Sequence, residues 1–243
     1  MKKVAIIQAR SGSTRLPGKI FKEICGKPML WHVINRLSYS VQIDKMVIAT
    51  TTAPEDDSTE KFCIENKIEY YRGSVENVLS RYCEAALQSG AEIIIRITSD
   101  CPLIDPSIID RMLEQFISSG QTIDYMSNVV ERTFPRGLDT EIMTFDSLSK
   151  AAKEAVSTFD REHVTPYIYN NPDRFKVTNF KNEKDYSRYR WTVDTIEDFN
   201  LITQIYNELY VPDKLFLLDD IIDLMNRKPE LNKINENIKQ KSN

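Results

Sequence analysis

Within the first hundred residues, short apolar runs of strand length recur between stretches with helical spacing, and few folds accept that alternation. Residues 4–9, 45–51, 69–72 and 92–98 are rich in Val, Ile, Tyr or Thr, the side chains that suit a pleated, buried surface. Between them, residues 28–37 begin with Pro28 at a first-turn position and residues 55–66 begin with acidic side chains, both signs of a helix start. Residues 75–88 put Val78, Leu79, Tyr82 and Ala86 on one side and stop before Gly90, which reads as a third helix. Strands and helices in this order build a mainly parallel sheet covered on both faces. The predicted class is α/β, with a mixed, mainly parallel central sheet flanked by helices.

From Asp105 onward the alternation is less regular. Helices are predicted over 106–118, 145–155, 161–169, 196–210 and 215–225, and strands over 139–144, 174–180 and 189–193. Residues 1–230 are expected to form a single domain, and 231–243 a polar tail rich in Lys and Asn that frays. There is no internal repeat.

A formal net charge of -4 argues against a general nucleic-acid binder, which carries a basic excess, so any anion site must be local. The apolar run after Met1-Lys2-Lys3 stops at Gln8 and Arg10, too soon for an export signal. No stretch approaches the roughly 20 apolar residues of a membrane span. Cys25, Cys63, Cys83 and Cys101 are scattered, without a Cys-x-x-Cys pair or nearby histidines, so neither a zinc site nor a disulfide framework is indicated. A cytoplasmic location is expected, with no membrane or nucleic-acid partner.

The segment from Gln8 to Lys19 follows the first apolar run directly and reads Gln-Ala-Arg-Ser-Gly-Ser-Thr-Arg-Leu-Pro-Gly-Lys. Its Arg10, Arg15 and Lys19 could hold phosphate oxygens, and its glycines let backbone N–H groups turn toward an anion. A plain glycine turn with solvated cations is the competing account. It is not a Walker A loop, because five residues separate Gly12 from Gly18 and Ile20 stands where a Ser or Thr would meet Mg²⁺. Nor does it supply the G-x-G-x-x-G of a dinucleotide fold.

This segment resembles the signature loop of the CMP-sugar synthetase family, Ala-Arg-x-x-Ser-x-Arg-Leu-Pro-x-Lys, with Ala9, Arg10, Ser13, Arg15 and Lys19 in place. The chain is most similar to the spore-coat-polysaccharide cytidylyltransferase-like branch, near the 3-deoxy-manno-octulosonate and acylneuraminate cytidylyltransferases, over about residues 1–200. The resemblance implies a Rossmann-like nucleotide-diphospho-sugar transferase fold. It also implies transfer of CMP from CTP to an acidic sugar of the 3-deoxy-octulosonic or nonulosonic (sialic) type, or to a related polysaccharide precursor, with release of pyrophosphate and with Mg²⁺ as cofactor.

Asp100, in Ser99-Asp100-Cys101-Pro102-Leu103, sits where an apolar strand gives way to a loop. Ligands of open α/β sheets gather at such carboxyl edges, and Asp100 could hold Mg²⁺ there or simply cap the next turn. The similar family carries Gly-Asp-x-Pro-Leu with the aspartate as a metal ligand; Ser99 replaces its glycine. Asp194-Thr195 reads on its own as a helix cap with acidic residues behind it. By resemblance to an Asp-Thr-Pro-Glu-Asp segment, Asp194 completes the Mg²⁺ site, with Ile196 in place of proline.

Arg72-Gly73-Ser74, and more weakly Thr51 and Thr52, resemble the segments that line the cytosine and ribose pocket; an ordinary strand-to-helix turn with Ser74 as cap is the other account. The segment 132–141 resembles a Pro-x-Gly-Leu-Asp acceptor loop, which makes Arg136, Asp139 and Glu141 candidate acceptor contacts. Arg136, Arg161 or Arg190 could clamp an acceptor carboxylate, or could be surface ion-pair partners. His163 could be a general base or a structural histidine, and His32, after Trp31 in a predicted helix, fits packing.

The reaction expected is attack of an acceptor hydroxyl on the α-phosphorus of CTP. Three rivals stand beside it: a glycosyltransferase of related fold, which would carry an Asp-x-Asp motif absent from Ser99-Asp100-Cys101; a nucleotidyltransferase using another NTP and a sugar phosphate; and a non-catalytic subunit. A homodimer is compatible with all of these.

Overall fold

The computed structural model describes residues 1–120 and 122–238. The first strand, β1 (Lys3–Gln8), leads through a loop and a 3₁₀ turn (Lys19–Phe21) to a two-stranded hairpin, β2 (Glu23–Ile24) and β3 (Lys27–Pro28). Then come α1 (Met29–Leu37), β4 (Lys45–Thr51), α2 (Asp57–Glu65), β5 (Glu69–Gly73), α3 (Val78–Ser89), β6 (Ile93–Thr98) and α4 (Pro106–Ser118). The second half adds β7 (Tyr125–Ser127), β8 (Glu141–Thr144), α5 (Phe145–Glu154), α6 (Thr158–His163), α7 (Pro166–Tyr169), β9 (Val177–Asn179), α8 (Ile196–Leu209) and α9 (Leu218–Arg227).

Seven strands form one sheet in the order β5-β4-β1-β6-β8-β7-β9. β5, β4, β1 and β6 are parallel, and β8 alone runs against its neighbours. The α/β class with a mainly parallel sheet is therefore borne out. Alternation along β1 sends Val4 and Ile6 into one apolar cluster and Ala5 and Ile7 into another, so the strand is buried on both faces, as a helix-covered parallel sheet requires.

β1 pairs with β4 on one side and with β6 on the other. The chain leaves β1 toward one edge of the sheet and returns past it, so the carboxyl ends of β1 and β6 flank a topological switch point. Crevices at such points bind ligands in open α/β sheets, and the loops after Gln8 and Thr98 both open there.

Several expected elements change shape. The helix predicted over 161–169 is two short ones, broken at Val164, whose φ of 73° lies in the left-handed region. The strand predicted over 174–180 shrinks to Val177–Asn179, and 189–193 keeps only one bridge, Arg136 to Arg190. Tyr189, Trp191 and Val193 alternate into the core as a strand would, but the neighbouring loop supplies no continuous ladder. The expected frayed tail is in part packed: Leu231 and Asn235 are buried, while 239–243 lie outside the described residues. No helix among the described residues is long and apolar enough to cross a membrane.

Candidate active site

A cleft of about 250 Å³ opens at the switch point, lined by Gln8, Arg10, Gly12, Ser13, Thr14, Arg15, Lys19, Thr98, Ser99, Asp100 and Asp194. The loop after β1 is held from below. Buried Asp56 accepts a 2.6 Å hydrogen bond from the Ser11 amide and another from the Thr51 hydroxyl, so it ties this loop to the end of β4. Within the loop, the Ser11 carbonyl accepts from the Ser13 and Gly18 amides and the Ser13 hydroxyl accepts from the Leu16 amide. Gly18 has φ +64°, a conformation that glycine adopts without strain, and it starts the turn that carries Lys19.

Lys19 places Nζ 3.2 Å from Oδ2 of Asp100, 3.2 Å from Oδ1 of Asp194 and 2.7 Å from the Val193 carbonyl. The two aspartates are brought together by backbone as well. The Val193 amide donates to the Asp100 carbonyl at 2.8 Å, and the Thr192 hydroxyl reaches the same oxygen at 3.3 Å. Burial pulls the Lys19 ammonium toward deprotonation, but Asp100 and Asp194 outweigh it, and the net shift is upward. For Asp100, burial disfavours the charge, while Lys19 and the 2.6 Å hydrogen bond from the Thr98 hydroxyl hold the carboxyl below its usual range.

Asp194 also receives Arg15 at 3.1 Å and Arg190 at 2.9 Å. Behind it, Asp198 is fully buried and accepts from Arg190, from the Asp194 and Thr195 amides and from Asn235. Thr195 and Asp198 form a capping box on α8, so this segment is a helix cap and, at the same time, the mount that aims Asp194. Arg10 is exposed and makes no hydrogen bond or ion pair among the described residues.

Asp100 and Asp194 converge on one ammonium, so a compact cation in its place would meet two hard oxygen donors. That donor set fits Mg²⁺, which commonly takes one or two carboxylates and completes its shell with water and phosphate. Among the described residues no group of three His, Cys, Asp or Glu side chains forms a fuller cage.

Other candidate residues lie elsewhere. Arg72 is spent on the Thr51 and Ala53 carbonyls and on Asp57 and Glu60, and the Thr51 hydroxyl on Asp56 and the Ala53 amide. These side chains brace the sheet edge beside the cleft rather than line it. Gly73 has no room for a side chain, because a Cβ would stand 2.7 Å from Tyr71 and 3.1 Å from Arg81. Ser74 does not cap α3; Asn77 does, accepting from the Ser80 amide, while the Ser74 hydroxyl accepts from the Asn77 amide. Asp139 pairs with Arg132 through both oxygens, at 2.6 and 3.0 Å. Glu141 is buried and its carboxylate is taken by Arg96, Tyr125 and Thr165, which makes it an internal counter-ion. Arg161 donates to the Ala155 carbonyl and His163 packs on Phe159, both on α6 and away from the cleft lining.

Asp56 and Asp198 are the site residues that sequence reading missed. Each stood in an acidic run before a helix and looked like a helix-start signal, whereas the structure shows each also holding a distant segment. Arg81 carries no signal in the sequence: fully buried on α3, it donates to the Ser74 carbonyl, while Nε and Nη2 have no hydrogen-bond partner among the described residues.

Compared with known proteins, residues 4–240 match the family described as Cytidylyltransferase. The chain is 33% identical over 233 residues to the spore coat polysaccharide biosynthesis protein SpsF of Bacillus subtilis, covering 93% of this chain and 94% of that one. It is also similar to the solved structure of a cytidylyltransferase from Leptospira borgpetersenii, with a TM-score of 0.92, 36% identity and full coverage of both chains. A shorter likeness, 34% over 118 residues, joins 49% of this chain to 46% of the 3-deoxy-manno-octulosonate cytidylyltransferase of Geobacter metallireducens.

Proposed function

The chain belongs to the cytidylyltransferase family, and on that premise we propose that it moves CMP from CTP to a hydroxyl of an acidic sugar used in surface-polysaccharide synthesis. The observation that carries the reading is the meeting of Arg10, Arg15 and Lys19 with Asp100 and Asp194 in one cleft at the switch point. The relatives named for spore coat polysaccharide and for 3-deoxy-manno-octulosonate support the acceptor class.

In this reaction the acceptor oxygen forms a bond to the α-phosphorus of CTP, the bond from that phosphorus to its bridging oxygen breaks, and pyrophosphate leaves. The hydroxyl proton is released to solvent. Positioning and charge stabilisation carry such transfers, with little covalent work for the protein. Arg10, unpaired and exposed, is free to grip the triphosphate. Arg15 and Lys19 stand beside the aspartates, where they can follow charge as it passes to the leaving group. Asp100 and Asp194 would hold Mg²⁺, which supplies positive charge against the phosphates when bound. Thr98 helps to hold the Asp100 carboxyl ionised, and the Asp198 mount aims Asp194.

Pyrophosphate release is the test, measured with each of the four nucleoside triphosphates and with 3-deoxy-octulosonic acid, N-acetylneuraminic acid or a sugar 1-phosphate as acceptor. CTP with an acid should be preferred. Release only with a sugar phosphate and another triphosphate would replace the acceptor reading, and no release with any pair would leave a binding subunit.

A further inference from the structure

The four oxygens of Asp100 and Asp194 are all engaged. Oδ2 of Asp100 and Oδ1 of Asp194 each accept from the Lys19 ammonium at 3.2 Å. Oδ1 of Asp100 accepts from the Thr98 hydroxyl at 2.6 Å, and Oδ2 of Asp194 faces Arg15 at 3.1 Å and Arg190 at 2.9 Å. A divalent ion that uses both carboxylates therefore has to displace a group already there.

Lys19 is the group whose departure opens both. Arg190 is locked behind the site by two hydrogen bonds to buried Asp198, Thr98 closes β6 and touches only Asp100 of the pair, and Arg15 touches only Asp194. Among the described residues Lys19 alone meets both aspartates, and moving its tip frees one oxygen on each. That tip is also held by the Val193 carbonyl at 2.7 Å, and the side chain is only 11% exposed. An ammonium so far withdrawn from water does not leave two carboxylates unless another charge replaces it.

Charge decides what arrives first. Lys19, Arg15 and Arg190 pair with Asp100, Asp194 and Asp198, three positive groups against three negative ones, and Arg10 adds a further positive charge to the cleft lining. A divalent ion entering alone would raise that excess, which like-charge repulsion opposes. A triphosphate brings the opposite sign and offers the ammonium new oxygens.

We propose that Lys19 is a resident counter-ion that keeps the divalent position closed, and that a nucleoside triphosphate opens it by drawing the ammonium onto its own oxygens. The inference rests on the cytidyl-transfer reading and adds a control to it: the protein takes up its divalent ion with the nucleotide and not before. The exchange leaves the ammonium in the cleft, on the phosphates, and gives its place at the carboxylates to the ion.

The test is Mn²⁺ binding to the protein without nucleotide, read from the free-ion electron paramagnetic resonance signal, for wild type, K19M, D194N and K19M/D194N. K19M should bind Mn²⁺ at least about tenfold more tightly than wild type, and the gain should vanish in K19M/D194N. Equal affinities of wild type and K19M, or a gain that survives in K19M/D194N, overturn the proposal. Should K19M fail to fold, wild type and D194N decide: equal, weak affinities support the proposal, and a wild-type affinity about tenfold above that of D194N overturns it. Calorimetry of CTP and Mg²⁺ on wild type keeps the two readings apart. CTP binding beside equal Mn²⁺ affinities of wild type and K19M sinks only this inference, whereas no CTP binding sinks the parent reading.

Discussion

The ammonium of Lys19 lies 3.2 Å from Oδ1 of Asp194, a residue 175 positions further along the chain. The same nitrogen is 3.2 Å from Oδ2 of Asp100, so one lysine reports the position where a divalent ion would meet both carboxylates. Asp100→Asn and Asp194→Asn should each lower Mg²⁺-dependent pyrophosphate release by at least about 100-fold, the scale of a lost electrostatic group in such sites. Each should also weaken Mn²⁺ binding in the presence of CTP, read by electron paramagnetic resonance. An Asp194→Asn protein with wild-type turnover and Mn²⁺ affinity would remove the metal assignment.

Two glycines should respond very differently to the same change. At Gly137 a methyl group would meet the backbone of Trp191 at 2.5 Å, in a left-handed conformation. Gly137→Ala should therefore cost about 2–4 kcal/mol, seen as a lowered urea midpoint. At Gly12 a Cβ would find only Glu55, at 3.8 Å, so Gly12→Ala should stay within about 0.5 kcal/mol of wild type.

His32 gives stability a pH dependence far from the cleft. Its Nε2–H donates to the Ile24 carbonyl at 2.7 Å, and the ring packs on Tyr206. Burial lowers its pKa, with Ile24 acting the other way and Arg36 and Lys27 adding to the fall. The unfolded chain takes up a proton near its usual value of about 6.5, where the folded ring stays neutral. Stability from this residue is thus complete above that value and is lost as the pH falls toward the folded pKa. The melting temperature should drop between about pH 7.5 and 5.5, and His32→Gln should flatten that part of the curve; an unchanged slope would contradict this.

Asp56 makes no ion pair among the described residues, yet it is buried and holds Ser11 and Thr51. Asp56→Ala should leave both donors unpaired and cost about 1–3 kcal/mol. Because the Ser11 loop carries Arg15 and Lys19, the KM for CTP should rise while the far-UV circular dichroism stays native. A stability loss with an unchanged KM would show that the brace is purely structural.

The parts of the fold that could be read from sequence are those fixed locally. Lys45–Thr51 and Pro106–Ser118 match their expected limits; the helix starts at Pro106 because Asp105 accepts from the Ser107 and Ile108 amides, a signal contained in four residues. The short strand Tyr125–Ser127 was missed because three residues carry no usable period. The strand expected at 189–193 failed for the reverse reason: its alternation is real, but hydrogen-bond partners come from elsewhere in the chain. The candidate site divides the same way. The Arg10, Arg15 and Lys19 loop and both aspartates were legible as residue types, and the structure brings them to one cleft. That Glu141 is a buried counter-ion to Arg96, 45 positions away, depends on long-range packing that no local spacing encodes.

Asn235 donates to the Arg190 carbonyl and to Asp198, so the Asp194 mount is finished only by a residue near the end of the described chain. During synthesis, Lys19 is made long before either the aspartate it will face or the asparagine that steadies that aspartate. Contacts between such remote segments form late, because the loop entropy must be met first. A ribosome-bound nascent chain halted before residue 235 would then carry a formed β4–β1–β6 sheet while the mount of Asp194 is still unset, and the proposed metal position would be completed in one step rather than grow with length.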